Sequence, residues 1–180
     1  MHYSRNVVEK SLSFVSVTEA CDLLQRLEAR TLARLGWTIT PRQLRYLDTC
    51  GVLQPGRVDG ARLYTAADVA LLRLFLRLVA AGATESRVRS ALVYLGAELR
   101  REVERPASDR ALLLMGARGL IVPASECQRW RGQQPCISVA EVVKGTGEAV
   151  EAVRAADAYI WTGRRFETSS TLAAAVVHAG

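Results

Sequence analysis

Histidine is almost missing from this chain, which holds only His2 and His178, one near each end. The commonest proton shuttle and metal ligand is therefore absent from every interior position. Four cysteines, Cys21, Cys50, Cys127 and Cys136, form no Cys-x-x-Cys pair, so the usual spacing of a zinc site or a redox dithiol is missing. There is no glycine-rich phosphate loop, and Gly145-x-Gly147 lacks the third glycine and the preceding strand of a dinucleotide site. With no catalytic constellation, neither enzymatic activity nor a cofactor is expected. Long apolar runs are also lacking: Leu74 to Ala83 is interrupted by Arg77 and is far too short to cross a bilayer. The N-terminal MHYSRNVVEK has no uninterrupted apolar stretch of the signal-peptide kind. The expectation is a soluble cytoplasmic protein with no membrane partner. Lysine is scarce too, with only Lys10 and Lys144, so arginine carries nearly all the positive charge. That bias, together with the many alanines, is also what a GC-rich genome produces.

What is present is an arginine excess in one region. The net charge is +6 over 180 residues. Residues 1–29 contribute −1, residues 30–105 contribute +6 and residues 106–180 contribute +1. Such a footprint suits a segment that neutralises phosphates and releases counterions. Within it, Thr40-Pro41-Arg42-Gln43 reads as a helix start, with a hydroxyl cap, proline at the first position and glutamine closing the reciprocal cap. Leu44, Leu47 and Cys50 share one face, and Gly51 ends the helix. The other face carries Arg42, Gln43, Arg45 and Tyr46, side chains able to enter a major groove, since arginine pairs with guanine and glutamine with adenine. Val58-Asp59-Gly60-Ala61 is a turn signal between two short runs that hold Arg57 and Arg62. This predicts a wing that contacts the phosphate backbone or minor groove. Thr65 with Asp68 then caps another helix.

The ordered series Arg42-Gln43-Leu44-Arg45-Tyr46, Gly51-Val52-Leu53, Gly60-Ala61-Arg62-Leu63-Tyr64 and Thr65 to Asp68 resembles the DNA-binding domain of the MerR family of bacterial transcription regulators, over about residues 32–95. The resemblance implies a winged helix-turn-helix that contacts double-stranded DNA through Thr40, Arg42, Gln43, Arg45, Tyr46, Arg57, Arg62 and Tyr64. The chain departs from the family pattern at Leu47, Asp48 and Ala61. Upstream, Val17, Cys21, Leu24, Leu27, Leu32 and Leu35 mark one helix or two abutting ones from a cap at Ser16 with Glu19. Only Glu28 to Leu35 is expected to match the family's first helix, which leaves an extra N-terminal helix as a brace.

From Thr84 a further helix is expected, with Val88, Ala91, Leu92, Leu95, Leu99 and Val103 on one stripe. The resemblance implies that such a helix pairs with its twin, making Val88, Leu92, Leu95 and Leu99 a dimer contact. Packing back on its own domain is the alternative. Beyond a linker at Pro106 to Asp109, two short strands flank Gly116 to Gly119, a helix follows the Ser138–Glu141 cap, and Ala158 to Trp161 is read as a third strand. Trp130, Tyr159, Trp161 and Phe166 either line an effector pocket or form the core of this part. Cys127 and Cys136 bracket an eight-residue loop, and such a pair resembles the metal-binding loop of metal-sensing relatives, where two thiolates hold copper or mercury. The segment before the loop does not read as helical and offers only Glu126 as a further ligand, so ordinary reduced cysteines are expected, without metal. Cys21 and Cys50 read as small buried hydrophobes.

The expected fold class is mainly α with small β elements. Residues 1–14 form a tail, 15–83 the winged helix-turn-helix domain, 84–105 a linking and dimerisation helix, 108–162 a small α+β module and 163–180 a loose tail. The function expected is that of a homodimeric, sequence-specific transcriptional regulator with an unknown small-molecule effector. The alternatives are an architectural or accessory DNA-binding protein of the excisionase or partition type, a metal- or thiol-responsive regulator using Cys127 and Cys136, and a non-DNA interaction module that keeps the winged-helix shape.

Overall fold

The computed structural model describes residues 14–107, 109–116, 118–130 and 132–163, with side chains to residue 155. His2, Phe166 and His178, the N-terminal tail before Phe14 and the C-terminal tail after Gly163 lie outside the described residues, as do the side chains of Tyr159 and Trp161. Strand β1 (Phe14–Ser16) leads into helix α1 (Val17–Leu27), where the Ser16 hydroxyl accepts from the Glu19 N–H at 3.3 Å and the Glu19 carboxylate accepts from the Ser16 N–H at 2.6 Å. Helix α2 (Ala29–Leu35) ends at Gly36, whose φ of 66° is the left-handed stop that glycine adopts without a Cβ penalty. Then come α3 (Pro41–Thr49) and the hairpin β2 (Gly56–Val58) and β3 (Ala61–Thr65). Strand β1 pairs antiparallel with the free edge of β3, Phe14 opposite Thr65, giving the order β1-β3-β2. Helices α4 (Ala66–Ala80) and α5 (Glu85–Glu104) follow. The second sheet is formed by β4 (Arg110–Met115), β5 (Arg118–Pro123) and, after helix α6 (Ala124–Arg129), β6 (Cys136–Ser138), in the order β5-β4-β6. Helix α7 (Val139–Gly163) closes the described chain.

Helix α4 is the axis of the molecule. It is apolar on nearly every side, with Val69, Leu71, Leu72, Leu74, Phe75, Leu76 and Leu78 all buried, and a helix of that kind must be surrounded. It is covered by α5, α7, α2 and α1. One apolar core runs through both halves of the chain: Leu112, Leu114, Val139, Val142 and Val150 join the cluster that holds Val15, Leu24, Leu44 and Leu72. The C-terminal α+β part therefore rests on the helix-turn-helix rather than standing off on a linker.

Helix α1 packs against both α3 and β3 and supports the recognition helix. Helix α2 lies between α1 and α3 in sequence and packs on α1 and α4. Several expectations about the later elements are corrected here. Val88, Leu92, Leu95 and Leu99, expected at a dimer surface, are 0–6% exposed within one chain because α5 packs on α4 and β5. Helix α5 does not project as a straight rod either, since Gly96 (φ 40°, ψ −114°) kinks it. Gly119 of β5 sits so close that a Cβ there would meet the Leu95 Cδ1 at 2.7 Å, which shows how tightly strand and helix are pressed together. Ala158 to Trp161 is helical, as the end of α7, and the third strand is β6. Periodicity cannot separate a strand from one buried turn of helix over four apolar residues. Finally, Cys127 and Cys136 are joined as a disulfide, and Cys127 lies on a short helix, α6. Cys21 is buried, and burial raises its thiol pKa.

Candidate nucleic-acid interface

The site is built on α3. Thr40 and Gln43 close the reciprocal cap as expected: the Gln43 N–H donates to the Thr40 hydroxyl at 3.4 Å, and the Gln43 Oε1 accepts from the Thr40 N–H at 2.8 Å. With Pro41 at the first turn, the helix start is rigid before any ligand arrives. Leu44 (0% exposed) and Leu47 (6%) anchor the inner face. Outward stand Arg42 and Arg45, both exposed, and Tyr46, half exposed. Gln43 is only partly exposed and its carbonyl oxygen is committed to the cap, so bidentate recognition of adenine would require opening the cap.

Tyr46 has a neighbour that the sequence did not reveal. Arg89 of α5 donates to the Tyr46 hydroxyl and lies 5.6 Å from its ring centroid. This stacks a guanidinium on the phenol and adds a cation to the exposed face of α3. The Tyr46 phenol pKa is raised, first by its hydrogen bond with the Cys50 side chain, while Arg89 pulls the other way. Beneath this pair, Trp37, Ile39, Leu44, Leu72, Phe75 and Leu76 line a small apolar cleft of about 50 Å³.

The wing forms as the turn signal implies. Asp59 (φ 49°) and Gly60 (φ 79°) are both left-handed, the conformation that a two-residue hairpin turn needs to match strand twist. Arg57 and Arg62 face each other directly across the hairpin. Two like charges in register repel, and Asp48 of α3 resolves the conflict: its carboxylate lies 2.6 Å from the Arg62 Nε and 3.5 Å from an Arg57 Nη. Asp48, a departure from the family pattern, thereby ties the wing to the recognition helix. The Arg57 side chain remains 59% exposed against 27% for Arg62, so Arg57 is the freer of the two. Tyr64, expected at the DNA surface, is fully buried; its hydroxyl has no hydrogen-bond partner among the described residues, and burial is the first cause of its raised pKa. It is a core residue holding β3 down.

Asp68 joins these parts. Fully buried, it accepts from the Gln54 N–H (3.2 Å), the Thr65 N–H and hydroxyl (2.9 Å each) and the Arg100 guanidinium (3.1 Å). One carboxylate thus fixes the exit from α3, the end of the wing and the start of α4 together. Among the described residues no cluster of three or more His, Cys, Asp or Glu could hold a metal, and the two loop cysteines are bonded to each other.

A capped basic helix, braced by a second helix and flanked by a pinned hairpin wing, defines a helix-turn-helix DNA-binding regulator. Residues 37–94 match the model of the MerR HTH family regulatory protein, so the chain carries the helix-turn-helix domain of the MerR family. No curated protein matches the chain. No described helix is long and apolar enough to cross a membrane.

Proposed function

We propose that the chain acts as a homodimeric, sequence-specific regulator of transcription whose α3 reads the major groove and whose wing grips the phosphate backbone. The observation that carries this reading is the outward face of α3: Arg42, Arg45 and Tyr46, with Arg89 alongside, stand on a helix whose cap, inner face and wing tether are all fixed. A helix held in place before binding loses little freedom on docking, and its exposed side chains can then hydrogen-bond to base edges. In this reading the C-terminal part is the regulatory half, since it packs directly on the axis helix α4. The apolar stripe of α5 is already covered, so the dimer contact falls to the opposite side of that helix, where Val93 and Tyr94 are 44% and 67% exposed. Sedimentation at micromolar concentration should show a species of twice the chain mass, and a monomer would remove the dimer from the proposal.

Two substitutions separate base reading from backbone grip. Arg42→Ala should weaken binding to the specific site by roughly 1–3 kcal/mol with much less effect on unrelated DNA. Arg57→Ala should weaken both about equally and lower the magnitude of the salt slope by about one unit. Titration of both variants on specific and scrambled duplexes decides the assignment. If Arg42→Ala leaves the preference intact, Arg42 does not read bases; if Arg57→Ala leaves the slope intact, the wing does not touch phosphate.

A further inference from the structure

We propose that Cys127–Cys136 is a thiol-exchange site: oxidised, it clamps α6 across the outer face of the second sheet, and reduction frees that helix and loosens the hold of α7 on the DNA-binding unit. The alternation of β4 shows what is clamped. Leu112 and Leu114 belong to the main core, while Ala111 (0% exposed) and Leu113 (2%) are as deeply buried but lie outside it. Successive strand residues point to opposite faces, so the sheet has a second covered face. Helix α6 packs on all three strands of this sheet and supplies that cover.

Besides its packing on the sheet, α6 has few ties among the described residues, and the disulfide is the covalent one. The helix has six residues, no buried residue and no side-chain cap, and a helix so short has no stability of its own. Its segment is tied by the Ala124 N–H to the Asp109 carbonyl (2.5 Å), by the Leu114 N–H to the Pro135 carbonyl (2.9 Å) and by the bond to Cys136. Both cysteines are partly exposed, and a cavity of about 600 Å³ lined by Gln128, Gln133, Gln134, Ser138 and Glu141 opens beside them, leaving room for an attacking thiolate. The reductant would be a dithiol. Its thiolate attacks one sulfur and expels the other as thiolate, giving a mixed disulfide, and its second thiol resolves that bond. The protein takes up two electrons and two protons to give two thiols, and the dithiol leaves as a cyclic disulfide.

The link to the DNA-binding unit is a chain of contacts. Cys136 of β6 pairs with Leu113 of β4, and Ser138 at the end of β6 accepts from the Glu141 N–H at the start of α7. In α7 the Val142 carbonyl and the Thr146 hydroxyl accept from the Arg73 guanidinium at 2.7 and 2.8 Å. Arg73 holds Glu28 at 2.7 Å, at the joint of α1 and α2, and α1 braces α3.

The test uses the full chain, oxidised and then treated with dithiothreitol, beside the Cys127→Ser/Cys136→Ser variant as the permanently open form. Hydrogen exchange should quicken at least about tenfold in α6 and β6 on reduction, with α3 and α4 still protected. Affinity for the specific duplex should fall about fivefold, and the serine variant should match the reduced protein and ignore dithiothreitol. Equal protection of α6 in all three forms overturns the proposal, as does a thiol assay showing that mild oxidation never forms the bond. Simultaneous loss of protection in α3 and α4 would make the bond a plain structural staple, and a freed α6 with unchanged DNA affinity would break the coupling. The affinity arm rests on the DNA-binding reading of the preceding section. If the oxidised chain binds no DNA, that reading fails by itself and the exchange arm still decides the clamp.

Discussion

Glu28→Ala is expected to destabilise the chain by about 3–5 kcal/mol, the usual cost of leaving a buried charge without its partner. The Glu28 side chain is 1% exposed, and its Oε1 receives the Arg73 Nε at 2.7 Å and the Arg77 Nε at 2.9 Å. Its Oε2 accepts from the Thr31 hydroxyl at 2.7 Å. Arg77 is 30% exposed and can turn to water, but Arg73, at 6%, cannot. Removing Glu28 strands that guanidinium between α4 and α7, held among the described residues only by the Val142 carbonyl and Thr146. A loss of that size is a large fraction of the roughly 5–15 kcal/mol by which domains are stable. Chemical denaturation measures it, and Glu28→Ala/Arg73→Met should recover part of the loss by removing the orphaned charge. A single-variant loss below about 1 kcal/mol would mean that water reaches Arg73 and the pair is not buried in solution.

The second large effect is expected at Asp68. Asp68→Ala leaves the Thr65 hydroxyl on the residue-68 N–H but removes the acceptor of the Thr65 N–H and hydroxyl, leaves the Gln54 N–H without its partner and deprives Arg100 of its closer carboxylate, so a total of about 2–4 kcal/mol is expected. Arg100 keeps Glu104 at 3.3 Å, a pair with Glu104 half exposed, which limits the loss. Since Asp68 ties the exit from α3 to the end of β3, DNA affinity should fall further than global unfolding alone accounts for. Thermal melts and duplex titrations of the same sample check both parts. A variant that melts lower and binds DNA unchanged would show that the wing does not depend on this anchor.

The parts of the interface legible in the sequence were those written in local chemistry. Thr40-Pro41-x-Gln43, Asp59-Gly60 and Thr65-x-x-Asp68 each specify one cap or turn within four residues, and the structure forms each of them. What could not be read depends on partners distant in the chain. Strand β1 is three residues long and exists because Phe14 to Ser16 pair with Leu63 to Thr65. The stripe of α5 announces an apolar face without saying whose surface covers it, and a twin and β5 satisfy the pattern equally well. Arg73 reads as an interruption in the apolar run of α4, yet it is the buried end of an ion pair spanning 45 residues. Asp48 and Arg89 have no local signature at all: their roles arise only when α3 meets the wing and α5. Helix α6 has no apolar stripe to reveal it, since none of its residues is buried.

The central claim is that α3 and the wing form a DNA-reading surface. Equilibrium binding of the full chain to a duplex from its own upstream region and to a scrambled duplex, at about 50 mM and about 200 mM salt, tests it most directly. The account predicts tighter binding to the upstream duplex, weakening of both complexes by at least tenfold as salt rises, and loss of the preference in Arg42→Ala. Absence of binding, or an affinity that ignores salt, would contradict it.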